Sequence, residues 1–302
     1  MKKVIVPTDF SQASLNAINY AIALFKQEQD IEMILFHAVE YPVPVGMEYG
    51  IVNGDVLTEQ LNSAVSQAEQ KLKTIIRALP NESNINYQKV IEVGSLVSWV
   101  TNQLPELNPD LLVMGTTGAS GLKGLFVGSN AEKVVRSASC PVLSIPKEAS
   151  WKPVGDIIVP FESKELSDEF LLALKELQLY LDAGLQMIWV KTPHSLSIEE
   201  DLIGEMIDSM HKHGLKRFKV NTRRSFSPSH GVLTFSTEVK ASLIAMPTHG
   251  RKGLKQLFHD SVTEEVVNQS VIPVWSFNNG SIKPAAEEKS TDQGKTKREI
   301  KI

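Results

Sequence analysis

The sequence predicts an α/β protein of two tandem units, each a five-stranded parallel sheet flanked by helices. Three observations carry this. Short apolar runs alternate with segments of helical periodicity. The chain repeats itself without a gap over a long segment of each half. A glycine-rich loop leaves an apolar run and enters a helix, the arrangement found at the ligand-binding edge of doubly wound sheets.

In the first half, residues 3–7 form a short apolar run ended by Pro7 and read as a buried strand. Ile18, Ala21, Ile22 and Phe25 then recur at helical spacing. Residues 33–39 are a second strand. Residues 57–79 form a helix with Leu61, Ala64, Val65, Ala68, Leu72 and Ile75 on one face. Residues 87–92 are a third strand, 96–104 a helix, 111–114 a fourth strand, 131–138 a helix and 142–145 a fifth strand. The second half repeats the order, with strands near 157–159, 185–190, 217–220, 243–246 and 274–277. Such alternation implies a parallel sheet covered on both faces.

The repeat is explicit. Residues 114–145 align with 246–277 at an offset of 132, and fifteen of the 32 pairs are identical, among them Thr116/Thr248, Gly118/Gly250, Ser129/Ser261, Glu132/Glu264 and Pro141/Pro273. The period exceeds that of solenoid repeats, so each copy should carry its own core. The expected organisation is one unit over 1–149, a second over 150–282, and a disordered tail over 283–302. That tail holds ten charged residues among twenty and too few aliphatic ones to offset the entropy of ordering.

Composition narrows the function. The 302 residues are 42% hydrophobic and 22% charged, with a net charge of −4. No basic field exists to hold nucleic acid. A single cysteine, Cys140, excludes an intrachain disulfide and a cysteine-built zinc site. No apolar run approaches membrane-spanning length, and the opening turns polar too soon for a signal peptide. The expectation is a soluble cytoplasmic protein.

The most informative segment runs Gly115-Thr116-Thr117-Gly118-Ala119-Ser120-Gly121-Leu122-Lys123-Gly124-Leu125-Phe126-Val127-Gly128-Ser129. Glycines let backbone approach an anion, and the N-terminus of the following helix offers free N–H groups and a positive dipole end. Neither the Walker A spacing nor the dinucleotide G-x-G-x-x-G fingerprint is present.

The spacing Gly115-x2-Gly118-x9-Gly128-Ser129 resembles the nucleotide-binding motif of universal stress proteins. So do the opening Val6-Pro7-Thr8-Asp9, the second strand ending His37-Ala38-Val39, and Cys140-Pro141-Val142-Leu143. The resemblance implies a Rossmann-like unit with sheet order 3-2-1-4-5 and pairing of units through their last strands. Here that pairing would form an intrachain pseudo-dimer, with a homodimer of the whole chain left open. It also implies binding of ATP or a related adenine nucleotide, with Mg2+ or Mn2+ accompanying the phosphates. Asp9 would face the adenosine, and Ala38 and Val39 would flank the adenine. Gly115 and Gly118 would turn beside the ribose and phosphates, and Gly128, Ser129 and Asn130 would cradle the triphosphate. A slow ATPase and a non-nucleotide interaction scaffold are the other readings.

Structural roles compete for the same residues. Ser129 with Glu132, and Ser261 with Glu264, form S-x-x-E capping boxes. Asp9 could cap the first helix. His211 and His213, two apart, read as a solvated pair on different helix faces, and His249 and His259 flank the second loop near Asp260.

The halves also diverge. Gly115 becomes Pro247, Gly128 becomes Asp260, and Thr8-Asp9 becomes Phe161-Glu162. Trp189 is aligned with Ala38 and is expected to plug the adenine position. A carboxylate at 260 would oppose phosphate; a like-charge pair at about 4 Å and an effective dielectric of about 20 costs roughly 4 kcal/mol. The first copy should bind ligand and the second should not.

Overall fold

The computed structural model describes residues 2–40, 54–82, 84–116, 129–161, 166–193, 200–248 and 257–279. The glycine loop between Thr116 and Ser129, the residues around His249, and the charged 283–302 segment lie outside the described residues.

The first half runs β1 (Lys2–Pro7), α1 (Gln12–Leu24), β2 (Ile31–Val39), α2 (Gly54–Ala78), β3 (Ile85–Val93), α3 (Leu96–Asn102), α4 (Leu104–Leu107), β4 (Leu111–Gly115), α5 (Ser129–Ser137) and β5 (Val142–Ile145). The second runs β6 (Asp156–Phe161), α6 (Asp168–Leu181), β7 (Gly184–Lys191), α7 (Glu200–Lys212), β8 (Phe218–Arg224), α8 (Pro228–Glu238), β9 (Leu243–Thr248), α9 (Leu257–Gln269) and β10 (Val274–Asn278).

All strands join one ten-stranded sheet in the order β3-β2-β1-β4-β5-β10-β9-β6-β7-β8. Within each half pairing is parallel, and the halves meet where β5 and β10 pair antiparallel. Each half thus has the order 3-2-1-4-5, and the join is the intrachain counterpart of pairing through last strands.

Sheet residues alternate between two apolar layers. Val4, Val6, Met33 and Leu35 face α1 and α2, where Ile18 and Leu72 are buried, and the same layer continues through Phe170 of α6 and Met206 of α7. Ile5, Ile34 and Phe36 face the other way, against Trp99, Val134, Phe235 and Val266 of α3, α5, α8 and α9. Strands apolar on both sides read as near-continuous hydrophobic runs, which is why the inner ones stand out in the sequence. The edge strands alternate instead: β3 carries Lys89 and β8 carries Lys219 and Arg223, charges that discourage further pairing. That alternation explains why β8 extends to Arg224, beyond the expected 217–220. The helix expected over 96–104 divides into α3 and α4, because Pro105 at the start of α4 lacks the N–H that would continue α3.

Four helices open on serine caps that correspond between halves. Ser11 and Ser167 accept from the amides of Ser14 and Phe170, and Ser95 and Ser227 from those of Ser98 and His230. Each such cap contributes about 1 kcal/mol. Across the seam, Glu132 accepts from Asn268 and Glu264 pairs with Arg136. Both partners stand four residues beyond the other half's glutamate, so the two contacts are pseudo-symmetric. The glutamates of the expected capping boxes therefore tie α5 to α9.

Candidate functional site

β1 and β4 pair only at Val4–Leu111 and Ile5–Leu112, while β1 stays in register with β2 through Pro7. Toward their carboxyl ends β1 and β4 diverge. The gap is the topological switch point, where open α/β sheets bind ligands. Pro7 and Thr8, the end of β2, Gly115 and the first turn of α1 converge there.

Thr8 is buried at the exit of β1. Its hydroxyl is 2.9 Å from that of Ser14 and accepts from the Phe10 amide at 3.0 Å. Its carbonyl lies 2.7 Å from Nδ1 of His37, which must donate because a carbonyl only accepts. That bond leaves Nε2 of the neutral ring as an acceptor. The Phe10 ring lies against His37, centroids 4.3 Å apart, on a backbone at φ 65°. A bulky residue in the left-handed region is a genuine outlier. The turn is held there by Asp9, whose Oδ1 accepts from the Ser11 amide at 3.0 Å. Asp9 is exposed and shapes this turn, and the helix cap itself is Ser11.

Ala38 is half-buried and packs on the α3/α5 layer. Val39 is buried and its carbonyl accepts from the Gly94 amide at 2.9 Å. Gly115 ends β4 against the first turn of α1. A Cβ there would stand 2.8 Å from the carbonyl carbon and oxygen of Ala13, so only glycine allows this helix to approach. Ser129 is the first residue of α5 and Asn130, exposed, the second. Gly118 and Gly128 lie outside the described residues.

The second half has the same backbone plan with different contents. Val4–Leu111 corresponds to Ile157–Leu243, which sets the offset between β1 and β6 at 153. Phe161 then replaces Thr8. Phe161 pairs with Trp189, and Pro160 with Ile188, as Pro7 pairs with Phe36. Trp189 therefore corresponds to His37, and Val190 to Ala38. The alignment of Trp189 with Ala38 is corrected by one residue, and in a strand one residue exchanges the faces. Trp189 lies in the α1/α6 layer and Ala38 in the opposite one, so Trp189 does not plug the Ala38 position.

Other side chains close the α6 side. Phe170, three residues after its serine cap like Ser14, is fully buried. Its ring packs against Trp275 and Phe277, each with centroids 6.0 Å away. By the offset of 132 these two replace Leu143 and Ile145. Ser261, the fifth residue of α9, sits inside the helix and is not its cap. Pro247 stays within β9, paired with Phe277, on the strand that leaves β6 after Ile244.

The remaining candidates resolve structurally. His213 is half-buried rather than solvated, 3.0 Å from Asp168 and bonded to the Ser209 carbonyl, while His211 lies against Phe218. Burial pushes the Cys140 thiol up to about 12, with the Asp110 charge adding to it, so it is no nucleophile. Among the described residues no group of three or more His, Cys, Asp or Glu side chains could hold a metal ion. No described helix is long and apolar enough to cross a membrane.

The Thr8–Ser14 pair and the donating ring of His37 had no sequence signal beyond the run Thr8-Asp9-Phe10-Ser11-x2-Ser14. Aligning the two serine-capped helices would have exposed Ser14 against Phe170.

Comparison with known proteins agrees with this geometry. The model of the universal stress protein family matches residues 1–146 and again 157–277. The chain belongs to the universal stress protein family. Universal stress protein MJ0531 of Methanocaldococcus jannaschii is 31% identical over 146 residues, 48% of this chain and 82% of the relative. Universal stress protein Slr1230 of Synechocystis is 21% identical over 293 residues, 92% of this chain and all of the relative, so the doubled arrangement recurs. A universal stress protein structure from Archaeoglobus fulgidus superposes with a TM-score of 0.67 at 17% identity, over 91% of this chain and 98% of that one. This universal stress protein is thus a tandem form with two Usp units in one continuous sheet.

Proposed function

We propose that this tandem universal stress protein binds one adenine nucleotide, ATP or a close relative, in its first half, and that the second half is a non-binding copy. The observation that carries the reading is the contrast at the two switch points. Thr8, Ser14 and His37 line the first, and Phe161, Phe170 and Trp189 stand at their places in the second.

The first half also retains Gly115-x2-Gly118-x9-Gly128-Ser129, leading into α5. Free N–H groups and the dipole at that helix start suit a polyphosphate. Asp9, with Ala38 and the backbone of Val39, would flank the nucleoside, Gly115 and Gly118 the ribose and first phosphate, and Gly128, Ser129 and Asn130 the terminal phosphates. Mg2+ or Mn2+ would arrive with those phosphates, as suits a hard cation that takes much of its coordination from substrate oxygen and water. The role is that of a cytoplasmic stress-response regulator whose nucleotide occupancy is the signal. One buried thiol fits that reducing compartment.

Isothermal titration with ATP and Mg2+ should give a stoichiometry near one per chain. Two equal sites, or no binding of ATP, ADP, AMP or cyclic AMP, would overturn the reading.

A further inference from the structure

α1 and α6 lie side by side over the seam between the halves, and beneath their carboxyl-terminal turns is a cavity of about 280 Å³. Its floor is Val4, Leu111, Leu143, Leu243 and Trp275. Leu111 and Leu243 are the first residues of β4 and β9, so the cavity opens at the amino-terminal edge of the sheet. The nucleotide crevice lies at the opposite edge. The two sites share α1 but no lining residue named for either.

Most polar groups around the cavity are engaged. Lys2 is 3.0 Å from Glu28 and 4.3 Å above the Tyr180 ring. The Tyr180 hydroxyl donates to the Leu24 carbonyl, and Asp110 accepts from the Lys3 amide. Glu176 is exposed at the rim. The Tyr20 hydroxyl is not engaged. Tyr20 is 5% exposed, lines the cavity, and meets Trp151 edge-on with ring centroids 5.5 Å apart. Its hydroxyl makes no hydrogen bond among the described residues. A ligand acceptor placed in the cavity would add one hydrogen bond to that hydroxyl.

We propose that this cavity is a second ligand site, for an uncharged and largely apolar molecule of about two-ring size that carries one hydrogen-bond-accepting oxygen for Tyr20. Size follows from volume: a cavity of about 150 Å³ holds one benzene. An anion is disfavoured because Lys2 is already neutralised by Glu28 while Asp110 and Glu176 would repel it, and a cation would lose its hydration over the apolar floor. The acceptor follows from the phenol, which burial pushes well above its usual range and so keeps as a donor. Each half supplies one helix wall, so the second copy completes a pocket that a single unit lacks.

The probe is 2-acetylnaphthalene, with 2-ethylnaphthalene as its match lacking oxygen, titrated into the full chain and followed by quenching of tryptophan fluorescence from Trp151 and Trp275. One saturable site for 2-acetylnaphthalene is expected, unchanged by saturating ATP. Tyr20→Phe should weaken 2-acetylnaphthalene about fivefold, the contribution of one neutral hydrogen bond, and leave 2-ethylnaphthalene unaffected. Ala173→Phe, which fills the cavity from α6, should abolish both. No saturable quenching in the parent protein overturns the proposal, as does binding that a folded Ala173→Phe retains. Should Ala173→Phe fail to fold, equal weakening of both probes by Tyr20→Phe, or of neither, overturns it alone.

Discussion

At the switch point of the first half a threonine and a serine share a hydrogen bond and a histidine donates to the strand end. At the same three places the second half has Phe161, Phe170 and Trp189, and Trp275 and Phe277 stand where the first has Leu143 and Ile145. The sheet order, the serine caps and the seam contacts are alike in both copies. What changed is what fills the place where a ligand would lie. Aromatic side chains bury about 150–250 Å² each, so the three that replace Thr8, Ser14 and His37 turn polar positions into core. The backbone follows. Gly115 lets α1 close onto β4, and no comparably close approach of α6 to β9 occurs among the described residues, where Phe170 occupies the space. On the proposed reading, a second copy that does not bind uses this space for stability.

If this account is right, exchanging residues between the halves should have unequal effects. The largest belongs to Phe170→Ala. It empties a fully buried position and should destabilise the protein by about 3–5 kcal/mol in urea unfolding, with ATP affinity nearly unchanged. A loss below about 1 kcal/mol would mean that the second crevice is not core. Next comes Gly128→Asp, which gives the first loop the residue of the second. Carboxylate against phosphate should weaken ATP binding by about 3 kcal/mol, more than a hundredfold, with the unfolding midpoint kept. Unaltered titration curves for the folded variant would remove Gly128 from the phosphate site. The smallest effect is expected from His37→Trp, which places the second half's indole beside Thr8. ATP affinity should fall about tenfold, or about 1.4 kcal/mol, and parent-like affinity would show that this position does not distinguish the halves in binding.

Much of this was legible before folding. Inner strands show as apolar runs because both their faces are covered, and the doubled unit shows as identity at a fixed offset. The glycine spacing marks the loop after β4. Less legible were the polar residues at the switch point. Thr8, Ser14 and His37 come from a strand exit, a helix turn and a second strand, and nothing in their spacing brings them within hydrogen-bonding distance.

From the sequence alone came the two α/β units, their element order, and the loss of Gly115 and Gly128 in the second copy. Only the tertiary structure decided where Trp189 points, because side chains in a strand alternate with a period of two and an apolar run carries no mark of its register. Only it assigned Gly115 to the close approach of α1, turned Glu132 and Glu264 from caps into ties across the seam, and left the Tyr20 hydroxyl facing a cavity shared by both halves. Periodicity records that a side chain is buried; which neighbour it meets there depends on how the helices pack across the sheet.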